Sequence, residues 1–65
     1  MTKRLCKEFY EKDAILKAIQ AYKSLADISV SEDDNYYFFK INQSDYAPEL
    51  VANEFENYIL GIMNT

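Results

Sequence analysis

Few side chains in this sequence are suited to covalent or acid–base chemistry. There is one cysteine, Cys6, and there is no histidine in the 65 residues. A catalytic thiol needs a nearby base or a strong positive field to form its thiolate. Arg4 and Lys7 are close to Cys6 in sequence, which is weak support for a positive field, and no histidine can act as the base. We therefore interpret Cys6 as a packing residue of a strand.

Two groups of carboxylates could suggest a metal or an acid–base site. The acidic run at residues 32–35 lacks the glycine and the ligand spacing of a calcium loop, so it is typical of a solvated turn. Glu54 and Glu56 are two positions apart in a predicted helix, and side chains at that spacing do not face each other. A single cysteine cannot form a structural zinc site. The sequence therefore predicts no catalytic residue, no metal and no cofactor.

Length and composition indicate one small domain over residues 1–65. The chain is 49% apolar and 15% aromatic, which is rich for its size. Domains this small are marginal unless a disulfide, a metal or a partner chain helps them. With one cysteine and no metal site, the remaining sources of stability are good packing or a partner chain.

The charge and hydropathy patterns argue against several classes of partner. A net charge of −4 disfavours binding to nucleic acid or to an anionic membrane surface. No apolar run approaches the length of a transmembrane helix. The basic residues at positions 3–4 are not followed by the apolar run of a secretory signal. A lone cysteine suits a reducing compartment, so we expect a cytoplasmic protein.

The apolar periodicity predicts an α+β fold with the element order β-α-β-β-α. The predicted elements are strand 3–9, helix 11–25, strand 27–31, strand 36–41 and a second helix beginning near Pro48. Leu5, Lys7 and Phe9 would share one face of the first strand. Ser44 or Asp45 would cap the second helix.

The third strand should lie at the centre of the sheet because it has aromatic residues on both faces. We therefore predict the spatial order 1-3-2, with the third strand antiparallel to both neighbours and both helices on one face. Tyr37, Phe39 and Ile41 would point towards the helices. Tyr36 and Phe38 would then point to the opposite face, which no other part of the chain is available to cover.

This uncovered aromatic face admits two interpretations. Tyr36 and Phe38 either lie flat on the surface, shielded by the stems of Arg4 and Lys40, or meet another chain. We favour the second, because small domains gain from extra burial and aromatic patches are common at interfaces. The predicted interaction surface is Arg4, Tyr36, Phe38 and Lys40. A homodimer, joined by strand edges or by sheet faces, is the first form expected.

Two short motifs suggest a family. Residues 10–18, YEKDAILKA, resemble the start of the first helix in the HxsD-like family of small proteins. Residues 53–60, NEFENYIL, are similar to that family's last helix, in which an Asn follows a buried aromatic residue by two positions. The resemblance implies a non-catalytic accessory role in His-Xaa-Ser peptide systems, where such proteins accompany radical S-adenosylmethionine enzymes that modify a ribosomally made peptide. It implies binding to the precursor peptide or to the enzyme, and no catalytic residues.

Asn53 and Asn57 are the one part of the second motif that packing does not require. The favoured interpretation is a solvated pair one helical turn apart; the alternative is that Asn57 bonds to the backbone of a neighbouring loop.

Our first functional hypothesis is a non-enzymatic adaptor that binds a peptide or a partner protein, with an open sheet edge able to accept an extended segment. The alternatives are an accessory subunit of an enzyme and a dimeric small-molecule-binding domain. A stand-alone enzyme comes last.

Overall fold

Five elements follow one another along residues 1–64, the part of the chain that the computed structural model describes. They are β1 (Thr2–Cys6), α1 (Lys12–Tyr22), β2 (Ala26–Glu32), β3 (Tyr36–Ser44) and α2 (Pro48–Met63). The strands form one sheet in the order β1-β3-β2, and β3 is antiparallel to both neighbours. The predicted α+β class, element order and strand order are confirmed.

The register of the sheet decides which side chains face the helices. Phe39 of β3 lies opposite Lys3 of β1 and Val30 of β2, and Ile41 lies opposite Ile28. A register shift between Asp27 and Ile28 marks a β-bulge near the start of β2. Since side chains alternate along a strand, this register directs Phe39 and Ile41 to one face, as predicted.

One apolar cluster joins that face of the sheet to both helices. Its buried members are Leu5, Ala14, Ile15, Ala18, Ala26, Ile28, Phe39, Ile41, Val51, Ala52, Phe55 and Ile59. The rings of Phe39 and Phe55 have their centroids 4.8 Å apart and join the central strand to α2. Burial of one such ring contributes about 1.5–3 kcal/mol to folding. Both helices therefore cover the same side of the sheet, and the opposite side is left without a layer.

The first strand is shorter than predicted. It ends at Cys6, so the prediction that Phe9 shares a strand face with Leu5 is wrong, and the Phe9 side chain is 67% exposed. The backbone N–H groups of Phe9 and Tyr10 both donate to the Cys6 carbonyl, at 3.0 and 3.1 Å. This turn carries the chain out of the sheet before Phe9 can point into the core.

The ends of the first helix also differ from the prediction. α1 stops at Tyr22, so Lys23 lies at its C-cap and Leu25 lies beyond it, exposed. Leu25 donates its backbone N–H to the Tyr22 carbonyl at 2.8 Å, in a turn that leads directly into β2. The apolar stripe of α1 is therefore shorter than its periodicity indicated.

The entry to α2 is not capped by the predicted residues. Ser44 still belongs to β3, because β2 pairs with β3 as far as Ala26 and Ser44. The N-cap residue is Ala47, whose extended backbone is typical of a residue before proline. Pro48 itself occupies the first turn, as predicted.

Candidate functional site

The candidate site is the side of the sheet that faces away from the helices. We call it the open face. The strand register places these residues on it: Thr2, Arg4, Cys6, Ser29, Ser31, Tyr36, Phe38 and Lys40. The structure thus brings the four residues predicted as an interaction surface to one face. Tyr36 and Phe38 are half-buried, and Arg4 and Lys40 are exposed.

The two aromatic rings lie next to each other on the open face. Their centroids are 6.3 Å apart with a tilt of 50° between the planes. Arg4 lies opposite Phe38 in the register, and its guanidinium carbon sits 4.5 Å from the centroid of the Tyr36 ring. This cation–π contact shields one side of Tyr36 and holds the positive charge of Arg4 beside both rings.

The second cation of the open face, Lys40, has fewer contacts than Arg4. Lys40 lies between Thr2 and Ser29 in the register, and it makes no ion pair or ring contact within residues 1–64. The contact that shields a ring of the open face among the described residues is that of Arg4 with Tyr36. Both rings keep part of their surface exposed to solvent.

The described ion pairs lie elsewhere. Lys3 pairs with Glu56 of α2 at 3.3 Å, and Lys7 and Lys12 pair with Glu32 at 3.6 and 3.3 Å. Within the described part of the chain, Arg4 and Lys40 belong to none of these pairs. The carboxylate on the same face is Asp27, at the far end of β2, where it alternates with the buried Ala26 and Ile28. A chain of net charge −4 thus has two unpaired cations beside its exposed rings.

The acidic turn before β3 positions the first of these rings. The Asp33 carboxylate accepts hydrogen bonds from the backbone N–H groups of Asn35 and Tyr36, both at 2.8 Å. These two bonds lower the pKa of Asp33, because they stabilise its charged form. The turn fixes where Tyr36 enters the sheet. In residues 1–64 no group of three or more His, Cys, Asp or Glu side chains could hold a metal ion.

Cys6 lies opposite Tyr36 at the edge of the open face and is half-buried. The backbone N–H of the next residue, Lys7, donates to the Asn35 carbonyl at 3.0 Å, which joins the end of β1 to the turn. This bond holds the end of β1 against the turn, beside the free thiol of Cys6.

A second surface was missed by the sequence patterns. Leu25 and Leu50 continue the apolar periodicity of the two predicted helices, but both are exposed, and together with Tyr46 they line a groove. Hydrophobic periodicity assigns such residues to the core by default. The sequence signal that could have indicated this groove is Tyr46, an aromatic loop residue close to the apolar residues in the first turn of α2.

The two asparagines of the second motif are exposed on α2. Neither the Asn53 nor the Asn57 side chain makes a hydrogen bond to another described residue. The arrangement agrees with the solvated pair and gives no support to a bond from Asn57 to a loop.

Fold and site together define a class: a small two-layer α+β domain with one uncovered, aromatic sheet face. No helix in residues 1–64 is both long enough and apolar enough to span a bilayer. Compared with models of protein families, with curated proteins and with solved structures, the chain matches none.

Proposed function

We propose that this chain is a non-catalytic adaptor that binds a peptide or a partner protein through its open face. The observation that carries the proposal is the pair of half-buried rings, Tyr36 and Phe38, beside two cations that have no described ion pair. Aromatic and Arg side chains are enriched among residues that dominate binding energy at interfaces. We also place the protein in the cytoplasm, on the basis of its single cysteine.

The charge of the open face favours a partner with carboxylates. Arg4 is held beside the rings by its contact with Tyr36, so little side-chain freedom is lost when a carboxylate binds it. An apolar side chain of the partner would contact Phe38 while an acidic side chain reaches Arg4 or Lys40. Such complementarity raises association rates and excludes partners of like charge.

A homodimer is part of the proposal, and strand edges are its best route. β1 and β2 each have one neighbouring strand, so each presents a row of backbone groups on its outer side. Face-to-face pairing would bring the Arg4 and Lys40 charges of two copies together, which opposes association. Edge pairing leaves both open faces free for a partner.

The resemblance to the HxsD-like family supports a more specific role. In that role the partner is a ribosomally made precursor peptide or the radical S-adenosylmethionine enzyme that modifies it. The chain would act there as an accessory subunit and would supply no catalytic group.

The adaptor proposal is tested by capture with matched variants from the native lysate. We expect wild type and Leu16→Ser, a change on the exposed surface of α1, to recover the same stoichiometric partner. Phe38→Ser and Arg4→Ser should recover at least about tenfold less, since central aromatic and Arg residues often contribute more than 1 kcal/mol. Circular dichroism would confirm that each variant is folded.

Equal recovery by all four proteins would show that the open face is not the binding surface. Recovery of no partner, together with a ligand-dependent rise in melting temperature, would favour the small-molecule-binding alternative. An enzyme partner whose turnover depends on this chain would establish the accessory role.

A further inference from the structure

A groove lies in the helical layer of the molecule, away from the open face, where α1 ends and α2 begins. We call it the end groove. It has a volume of about 190 Å³ and is lined by Tyr22, Leu25, Tyr46, Leu50, Val51 and Glu54. Val51 is buried and forms its floor, where the groove meets the main core. The end groove is therefore distinct from the open face.

The lining of the end groove is apolar and unusually exposed. Leu25, Tyr46 and Leu50 are 41%, 58% and 54% exposed. The ring of Tyr58 extends this surface, because its centroid lies 5.5 Å from that of Tyr22 in an edge-to-face contact. Single exposed apolar residues are common, but a contiguous group around a concave site marks an interaction surface.

The backbone around the end groove is already held in place. The Asp45 N–H donates to the Leu25 carbonyl at 3.0 Å, which ties the loop before α2 to the loop after α1. Leu25 in turn donates to the Tyr22 carbonyl at 2.8 Å, and the Ser44 hydroxyl donates to the Tyr46 carbonyl. A groove built from tethered loops loses little conformational entropy when a ligand binds.

The charges at the end groove are mainly negative. Glu54 lines it, and Asp45 and Glu49 are exposed on the loop and first turn that border it. None of these three carboxylates belongs to an ion pair of the described residues. Lys23 is the cation at this end of α1, and it lines the neighbouring depression.

The ends of the two helices also affect the electrostatic potential at the end groove. The last turn of α1 has no basic residue, so only Lys23, at the C-cap, lies beside the negative end of its dipole. The N-terminus of α2 has the opposite dipole, but Glu49 lies in its first turn. Burial raises the pKa of Tyr22, and the charge of Glu54 raises it further.

We propose that the end groove binds an amphipathic segment of a partner protein, with large apolar side chains seated on Leu25, Tyr46 and Leu50 and with Lys or Arg beside Glu54. Charge complementarity selects this occupant. A second copy related by a two-fold axis would bring its own acidic groove against the first, and an acidic segment would meet the same repulsion. The adaptor would then have two docking surfaces of opposite charge, one on each layer.

The test uses fluorescein-labelled peptides and the full chain in anisotropy titrations. The probes are a short Leu/Lys amphipathic helix, a Leu/Glu peptide of the same pattern and a Ser/Lys peptide. We expect saturable one-to-one binding of the Leu/Lys peptide, and binding at least about tenfold weaker for the other two, which corresponds to about 1.4 kcal/mol.

Variants locate the binding. Leu50→Ser and Glu54→Lys should each weaken binding of the Leu/Lys peptide by about tenfold. The matched controls are Leu16→Ser, which is 45% exposed on α1, and Asp34→Lys, in the turn at the other end of the sheet; both should stay within about twofold. Leu50→Ala serves if Leu50→Ser does not fold.

Three results would overturn the proposal. Equal loss in the control variants would show nonspecific attraction of a cationic peptide to an acidic protein. Equal affinity for the Leu/Glu peptide would remove the charge argument. Dissociation of a wild-type dimer by Leu50→Ser in sedimentation would show that a second copy covers the groove. Phe38→Ser should leave peptide binding unchanged, which separates this surface from the open face.

Discussion

At the scale of single residues, short polar contacts place the side chains of the candidate site. Arg4 is directed over Tyr36 by a contact of 4.5 Å, and Tyr36 is itself held at the start of β3 by the Asp33 carboxylate. An acidic turn that resembles a cation site in composition thus has a structural use. Its carboxylate oxygen is occupied by two backbone N–H groups.

Replacement of Asp33 by Ala should lower the melting temperature near neutral pH. The hydrogen bonds lower the folded-state pKa of Asp33 below the ordinary value of 3.8, so their stabilisation is present above that pH and is lost as pH falls through the folded pKa. The difference in melting temperature between wild type and Asp33→Ala should therefore shrink in acid. Thermal unfolding followed by circular dichroism across that range measures it.

Asp34→Ala is the matched control, because Asp34 is exposed and makes no hydrogen bond to a described residue. It should unfold like wild type at every pH. A constant difference between wild type and Asp33→Ala down to strong acid would contradict the assignment to the charged carboxylate.

At the scale of elements, the length of each helix and strand depends on its neighbours. β3 extends to Ser44 because β2 supplies a pairing partner, and β1 stops where a turn begins at Cys6. α2 continues through Gly61 to Met63, although glycine is common where helices end. Gly61 has no positive φ, and a Cβ built there would meet nothing within 4 Å.

Gly61→Ala should therefore stabilise the protein. Alanine is favoured over glycine inside a helix by up to about 1 kcal/mol, and the gain should be at the lower end because Gly61 lies near the last turn. Chemical denaturation would measure the free energy of unfolding.

The reciprocal change is the control. Ala21→Gly, on the exposed side of α1, should destabilise the protein by a similar amount. Loss of stability in Gly61→Ala would show that Gly61 is needed for a contact that the helix alone does not reveal.

At the scale of the whole molecule, two layers leave one side of the sheet uncovered. The structure measures 30 × 26 × 16 Å, and the two helices form a single layer on one side of the three strands. The open face is uncovered because the two helices form one layer, and a second layer of helices would be needed to cover it. A small domain of this kind gains stability from association.

We expect wild type to sediment as a dimer at micromolar concentration. β2 has seven residues with Ser29 at its centre, so symmetric antiparallel edge pairing would place the two Ser29 residues opposite each other. Ser29→Lys should then give a monomer, because like charges directly opposite are destabilising.

Phe38→Ser distinguishes edge pairing from face pairing. It should remain dimeric if the edges associate, and it should dissociate if the open faces do. A wild-type protein that sediments only as a monomer would exclude the homodimer and leave the adaptor proposal to rest on a heterologous partner.

The amino-acid pattern alone determined the order of elements, the central place of β3 and the face on which Phe39 and Ile41 lie. These follow from period-two alternation and from local propensity, which depend on neighbouring residues in the chain. The same alternation places Tyr36 and Phe38 opposite the core, so the open face follows from the sequence pattern.

Only the tertiary structure decided where elements end, that Phe9 and Leu50 are exposed, and that Leu25, Tyr46 and Leu50 meet in one groove. Apolar residues are assigned to the core by pattern because burial usually favours them. Whether space remains in the core depends on how two helices and three strands pack, and that packing is set by contacts between residues far apart in the chain.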